Sequence, residues 1–335
     1  MRGGDSIPML TLDGLREELR GTASVLITTH LNPDGDALGS AGALALFLRA
    51  RGTQARVLVD WPIPENLHFL RDGAGIEEYD PAQHDALFGS ADLLVAVDMN
   101  APSRMGRIAD VAASAGIRIL VIDHHLDPRP FADGYCLRSD ACATAEILFD
   151  LIEAEEGLTP AIAEALYTGI LTDTGSFRFE RTTSRVFRIA AELLDAGVQP
   201  QDVYRRIYDE YPMRRTRLVG RVLAGIRSLA DGRATLLAVT KEDLDATDGL
   251  IEDVENIVNY GLSIRGVLAT ALVTEMPGGV KVSFRSRGDV SIQPLAQRFG
   301  GGGHRYAAGA TLDGADVAEI IDRVRRGLQE LFDGQ

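Results

Sequence analysis

Residues 25–40, Val-Leu-Ile-Thr-Thr-His-Leu-Asn-Pro-Asp-Gly-Asp-Ala-Leu-Gly-Ser, constrain this chain more than any other stretch. An apolar, β-branched run ends at His30, passes through the turn residues Asn32, Pro33 and Gly35, and enters a small-residue helix predicted over 38–50. The pattern predicts a strand–loop–helix unit. In an open α/β sheet such a loop lies at the carboxyl end of its strand, where ligands bind. His30, Asp34 and Asp36 crowd one imidazole and two carboxylates into seven positions. That crowding is repulsive unless a cation neutralises it, and mixed imidazole and carboxylate donors suit Mn, Fe, Co or Zn better than Ca.

At 335 residues the chain exceeds one ordinary core and predicts two domains. Hydrophobic residues at 45% and charged residues at 25% give the balance of a soluble globular protein. No apolar run reaches the roughly 18 residues of a membrane span, and the first residues lead into no signal-peptide core, so a cytoplasmic location is expected. Two cysteines, Cys136 and Cys142, are too few for a disulfide scaffold or a Cys-based zinc site and read as free thiols. A net charge of −15 opposes a protein that coats long nucleic acid, a task that needs many phosphate-neutralising cations. A small anionic substrate held by a local basic patch is compatible with it.

Further strands are predicted over 54–60, 93–98 and 117–123, the last two as near-continuous apolar runs of the kind buried on both faces of a parallel sheet, with a helix over 103–115 between them. Two of these strands end on Asp98 and Asp123. Helices are predicted over 144–157, 160–172 and 184–197, then a long amphipathic connector over 213–230 after Pro212. The expected division is 1–212, the connector 213–230, and a smaller domain 231–335. In that last part strands are predicted over 233–240, 267–275 and 280–286, and helices over 251–260, 292–299 and 315–332.

The chemistry-bearing groups are His30/Asp34/Asp36, Asp98, Asp123-His124-His125 and Thr172-Asp173-Thr174-Gly175. Two closely spaced cations held by such groups activate water and stabilise both attacking and leaving oxygens in phosphoryl transfer, so phosphate ester hydrolysis fits best. Singly, each motif has a plainer explanation. Residues 32–36 suit a turn capping a helix; Asp98 or Asp173 alone suits a cap or loop carboxylate; His124-His125 alone suits a surface. The ordered set is what argues for a site. The run Gly300-Gly-Gly-Gly-His304 suits a flexible linker, yet it lies between two predicted helices and ends in His-Arg, which favours an anion-binding turn where backbone approaches phosphate. Between residues 281 and 305 five cations face only Asp289, a net of +4 that supports a phosphate-facing surface. Trp61, His68, His84, Arg104 and the cysteines suggest packing or solvation.

Asp123-His124-His125 together with Ser283-Phe-Arg285-Ser-Arg287 and Gly300-Gly-Gly-Gly-His304-Arg-Tyr-Ala-Ala-Gly309 resembles the DHH phosphoesterase superfamily with its DHH-associated C-terminal domain, over nearly the whole chain. The resemblance implies an α/β fold: an N-terminal parallel-sheet catalytic domain, a helical connector and a smaller C-terminal α/β domain. Within the superfamily the pattern is most similar to the bacterial nanoRNases, which hydrolyse RNA of two to five nucleotides and remove the 3′ phosphate of 3′-phosphoadenosine 5′-phosphate (pAp). It implies that His30 and Asp34 hold one divalent cation, Asp36, His124 and Asp173 a second, and that Asp98 bridges. Mn²⁺ is the expected ion, with Mg²⁺, Co²⁺ or Zn²⁺ as alternatives. It further implies that Asp123 supports the metal site, that His125 faces the scissile phosphate, and that Arg285, Arg287, Gly301, Gly302, Gly303 and His304 bind substrate. Every ligand type that the pattern demands is present.

A hydrolase of cyclic di-AMP or of linear dinucleotides is the nearest rival, since those enzymes resemble this chain in motifs and domain order. Family II pyrophosphatases lack the Gly-Gly-Gly-His domain, and the long-strand exonucleases add domains and a basic groove. A non-catalytic nucleotide-binding module would be favoured had a ligand position been lost. Short RNA and pAp are thus the expected substrates, in a cleft between the domains; no membrane contact is expected, and a homodimer is compatible.

Overall fold

Near-continuous apolar runs become strands because both of their faces are covered. In β1 (Ser24–Thr28), β2 (Gln54–Val59), β4 (Leu93–Val97) and β5 (Ile119–Asp123), alternate residues feed two separate cores. Val25, Ile27, Val57, Val59, Val95, Val97, Leu120 and Ile122 pack on one face, and Leu26, Leu58, Leu94, Ala96 and Val121 on the other. The computed structural model describes residues 7–303 and 305–333, and the chain divides after Glu210 into two compact units.

In the first unit β3 (Ile76–Glu78) and β6 (Gly134–Leu137) complete a six-stranded sheet of order β3-β2-β1-β4-β5-β6, parallel throughout. Strand order reverses between β1 and β4, and ligands of doubly wound sheets bind at such a point, beyond the carboxyl ends of the strands. His30, Asp98 and His124 follow β1, β4 and β5 there. β3 and β6 escape sequence prediction because three or four residues carry too little periodicity.

The helices Gly35–Ala50 and Pro160–Asp173 cross tightly against one another. A Cβ on Gly39 would lie 2.4 Å from the Ala165 carbonyl oxygen, and one on Gly169 would lie 2.7 Å from Asp36 Oδ1. Glycine at both positions lets the helix carrying Asp36 sit beside the one that ends on Asp173. Asp173 therefore comes from a helix terminus rather than from a strand end.

The second unit holds a mixed sheet of order β11-β12-β10-β9-β8-β7, formed by β7 (Arg227–Leu229), β8 (Ala234–Val239), β9 (Ala269–Met276), β10 (Gly279–Ser286), β11 (Gly302–Gly303) and β12 (Ala307–Asp313). Only β8 and β9 pair in parallel. Val280, Val282 and Phe284 pack against the helix Val317–Glu330, and Leu237, Val239 and Leu272 against Leu218 and Val222 of the helix Met213–Ala224.

Two expectations change here. The helix predicted over 213–230 stops at Ala224, because residues 227–229 find strand partners in β8. The glycine run is not a turn between helices. Gly302 and Gly303 pair with Gly309 and Ala308 of β12, and a Cβ on Gly301 would lie 2.0 Å from the Gly309 carbonyl oxygen, so close strand approach itself demands glycine. Among the described residues no helix is long and apolar enough to cross a membrane.

Candidate metal centre

Asp34 shows how one residue serves two ends. Its Oδ1 caps the helix Gly35–Ala50 by accepting from the Asp36 and Ala37 amides at 3.1 and 3.0 Å, while Oδ2 lies 4.0 Å from His30 Nε2. The helix-cap account of residues 32–36 therefore holds, and it leaves the second oxygen of Asp34 turned toward His30. His30 Nδ1–H donates to the Leu31 carbonyl at 2.9 Å, which fixes the tautomer and leaves the Nε2 lone pair turned inward.

Asp98 stands in the middle. Its Oδ2 lies 3.3 Å from His30 Nε2 and its Oδ1 lies 3.5 Å from His124 Nε2, so the two oxygens face the two imidazoles separately. The residue sits at φ 58°, a left-handed conformation that Asp adopts more readily than most side chains and that tends to be stored at functional sites. His124 Nε2 also lies 3.4 Å from Asp173 Oδ2 and 4.0 Å from Asp36 Oδ2. Three overlapping donor groups result, His30/Asp34/Asp98, Asp36/His124/Asp173 and Asp98/His124/His125, each with ligand atoms within 4.8 Å of one another. Ligands about 2.1 Å from one ion are separated by about 3.0 to 3.4 Å, close to the shorter spacings here. The donor set fits two divalent cations.

Asp123 is fully buried; its Oδ1 accepts from the His124 amide at 2.9 Å, the His125 amide at 3.2 Å and His125 Nδ1–H at 2.7 Å. That carboxylate holds the two histidines rather than facing the donor cluster. Its Oδ2 has no partner among the described residues.

Thr144 escapes sequence reasoning. The helix Thr144–Glu153 has no side-chain cap of its own, and its first amides reach Asp36 instead, Thr144 N–H to Oδ2 at 2.7 Å and Ala145 N–H to Oδ1 at 2.9 Å. The Thr144 hydroxyl donates to Asp98 Oδ1 at 3.0 Å, and the Ser40 hydroxyl to Asp36 Oδ1 at 3.0 Å. A predicted helix start at 144 is the only sequence signal for this. That it points at a carboxylate 108 positions earlier is a tertiary fact.

Burial dominates the electrostatics. It raises the Asp36 carboxyl above its ordinary range, raises Asp98 further with Asp36 adding to the effect, and lifts Asp173 to about 8. Burial also lowers His30 and His124, favouring neutral imidazoles. In the metal-free chain these carboxyls keep protons that unfolded carboxyls, with ordinary values near about 4, have already lost. Folding stability from this source is present at low pH and is lost as pH rises toward 8. The two lowered histidines act in the opposite sense up to about pH 6.5, so the melting temperature of chelator-treated protein is expected to fall between about pH 6.5 and 8, and divalent cations to restore it at pH 8. A melting temperature flat across that range, with or without metal, would contradict this account.

In the second unit Arg285 is mostly buried and donates to the Phe284 carbonyl at 2.9 Å, and burial lowers its pKa. Among the described residues no carboxylate pairs with it. Arg287 donates to the Val267 and Ile264 carbonyls at 2.7 and 3.1 Å. His304 lies outside the described residues.

Imidazoles and carboxylates gathered at the switch point of a parallel sheet form a candidate metal centre, and likeness to known proteins gives it the class of a hydrolase of phosphoester bonds. Residues 24–170 match the N-terminal domain of the DHH family and residues 243–330 match the DHHA1 domain. The chain is 37% identical to the bifunctional oligoribonuclease and PAP phosphatase NrnA of Thermus thermophilus over 94% of each, and 27% identical to that of Bacillus subtilis over 89% of this chain and 92% of the other. The crystal structure of an exopolyphosphatase-related protein from Bacteroides fragilis superposes with a TM-score of 0.89 at 31% identity, covering 95% of both chains. The chain belongs to the DHH family, with a DHHA1 domain following the DHH domain.

Proposed function

We propose that this protein hydrolyses RNA oligonucleotides of two to five nucleotides to mononucleotides and dephosphorylates pAp, with two divalent cations, Mn²⁺ being the best match to the donors. The observation that carries the two-metal reading is the division of Asp98, one oxygen toward His30 and the other toward His124. The substrate reading is supported by the names of the relatives that match along nearly the whole chain. When bound, the cations activate water and neutralise charge developing on the phosphoryl oxygens. His30 and Asp34 would hold one, Asp36, His124 and Asp173 the other, and Asp98 would serve both. Thr144 and Ser40 keep the oxygens of Asp36 and Asp98 oriented. Asp123 sets the ring of His125, which faces the scissile phosphate. Arg285, Arg287, Gly301, Gly302, Gly303 and His304 would bind substrate.

Substrate length tests this. Binding energy from a second phosphate positions the scissile one, and an acidic chain offers a long polyanion little further attraction. With Mn²⁺, a 5′-phosphorylated RNA dimer and pAp are expected to turn over at least about 10²-fold faster than a 20-mer, and cyclic di-AMP to turn over slowly. Equal rates on dimer and 20-mer would rule out the length reading, and a preference for cyclic di-AMP would shift the assignment to the cyclic dinucleotide hydrolases.

A further inference from the structure

The segment that leaves Asp173 is held firmly. Gly175, Ser176 and Phe177 are left-handed in succession, at φ 57°, 60° and 62°. Strain of that kind persists only where the surroundings enforce it. Here the Phe177 amide donates to Thr174 Oγ1 at 3.0 Å, and the Phe177 ring stacks on Phe187 at 5.4 Å and lies 6.0 Å from Tyr167. At the end of this segment the exposed residue Arg181 brings its Nη1 to 3.4 Å from the Ala141 carbonyl and 3.4 Å from His124 Nδ1.

With a cation on the Nε2 lone pair, Nδ1 of His124 would carry the proton and donate to the same Ala141 carbonyl at 3.4 Å, and the second approach would then not be a hydrogen bond. Guanidinium and imidazole would therefore be two donors sharing one acceptor. The neighbouring arginines are engaged elsewhere: Arg138 and Arg185 by Glu146 and Asp150, Arg178 by the Gly175 carbonyl. Among the described residues no carboxylate oxygen pairs with Arg181, although its charge still acts on nearby Asp173.

A fixed cation beside a candidate metal ligand is unfavourable once a dication arrives, unless an anion joins them. We propose that Arg181 contacts the substrate, holding a non-bridging oxygen of the reacting phosphoryl group on the His124–Asp173 side of the site. A guanidinium suits this role because its planar fork matches phosphate oxygens, and phosphoryl transfer gathers charge on those oxygens in the transition state. The inference rests on the phosphoesterase reading above and adds a residue from the first unit to the groups that recognise substrate.

Wild type, Arg181→Ala and Arg181→Lys are compared with saturating Mn²⁺ on an RNA dimer, on pAp and on bis(p-nitrophenyl) phosphate, and Mn²⁺ affinity is measured by calorimetry without substrate. Arg181→Ala is expected to lose about 10- to 100-fold in kcat/KM, the worth of one charge-assisted phosphate contact, on every substrate that the wild type cleaves. Arg181→Lys should recover part of that loss, and Mn²⁺ should bind the alanine variant at least as tightly as wild type. Unchanged kcat/KM overturns the inference. So does a loss that follows weakened Mn²⁺ binding and disappears at higher Mn²⁺, since Arg181 would then only be holding His124. A wild type that cleaves only the bis-aryl diester sinks the nucleotide assignment, while the variant ratio on that diester still decides the role of Arg181.

Discussion

Asp98→Asn is expected to lower turnover by about three orders of magnitude while the protein stays folded. Among the described residues this carboxylate alone turns one oxygen toward His30 and the other toward His124, and an amide nitrogen cannot ligate where Oδ1 or Oδ2 does. Losing shared coordination removes several kcal/mol of transition-state charge stabilisation, and each 1.4 kcal/mol or so is tenfold in rate. Asn tolerates the left-handed backbone at this position about as well as Asp, and its carbonyl can still accept from Thr144. Substitution also removes a carboxyl that burial and Asp36 push well above its ordinary range. The metal-free variant should therefore melt no lower than metal-free wild type at pH 8. Metal content per chain and a melting curve decide the matter, and near-normal turnover with two metals retained would remove Asp98 from the bridging position.

His124→Ala and His125→Ala should separate. His124 Nε2 faces oxygens of Asp98, Asp173 and Asp36 within 4.0 Å, so its loss should leave one tightly bound cation per chain instead of two. His125 turns Nδ1 toward Asp123 at 2.7 Å, with Asp98 Oδ1 farther away at 3.6 Å. His125→Ala should keep both cations and lose about 10² to 10⁴ in kcat, the range of a side chain that moves or holds a proton at the reacting group. The distinction is needed because Asp98, His124 and His125 also form a donor group by proximity. Equal metal loss in both variants would assign His125 to the cations as well.

Legibility in the sequence followed the range of the forces involved. β1, β2, β4 and β5 lie within two residues of their predicted spans, because burial on both faces writes a continuous apolar run that needs no knowledge of neighbours. β11 could not be foreseen: two glycines carry no pattern, and they become a strand only through pairing with β12. Residues 227–229 likewise depend on a partner strand. In the site, residue types announced themselves by their spacing, whereas Thr144 and Ser40 are ordinary helix residues until Asp36 accepts from both.

The sequence by itself determined the chemistry available: imidazoles and carboxylates after predicted strands, an acidic chain with a basic stretch over 281–305, and two domains' worth of core. These are local or additive properties, set by residue type, spacing and charge. Tertiary structure alone decided which oxygen faces which nitrogen. The helix crossing permitted by Gly39 and Gly169 sets Asp36 beside Asp173, the strand order brings β1, β4 and β5 together, and the segment 174–183 carries Arg181 to His124. Contacts between residues 57 and 109 positions apart depend on chain closure and packing, which no local pattern records.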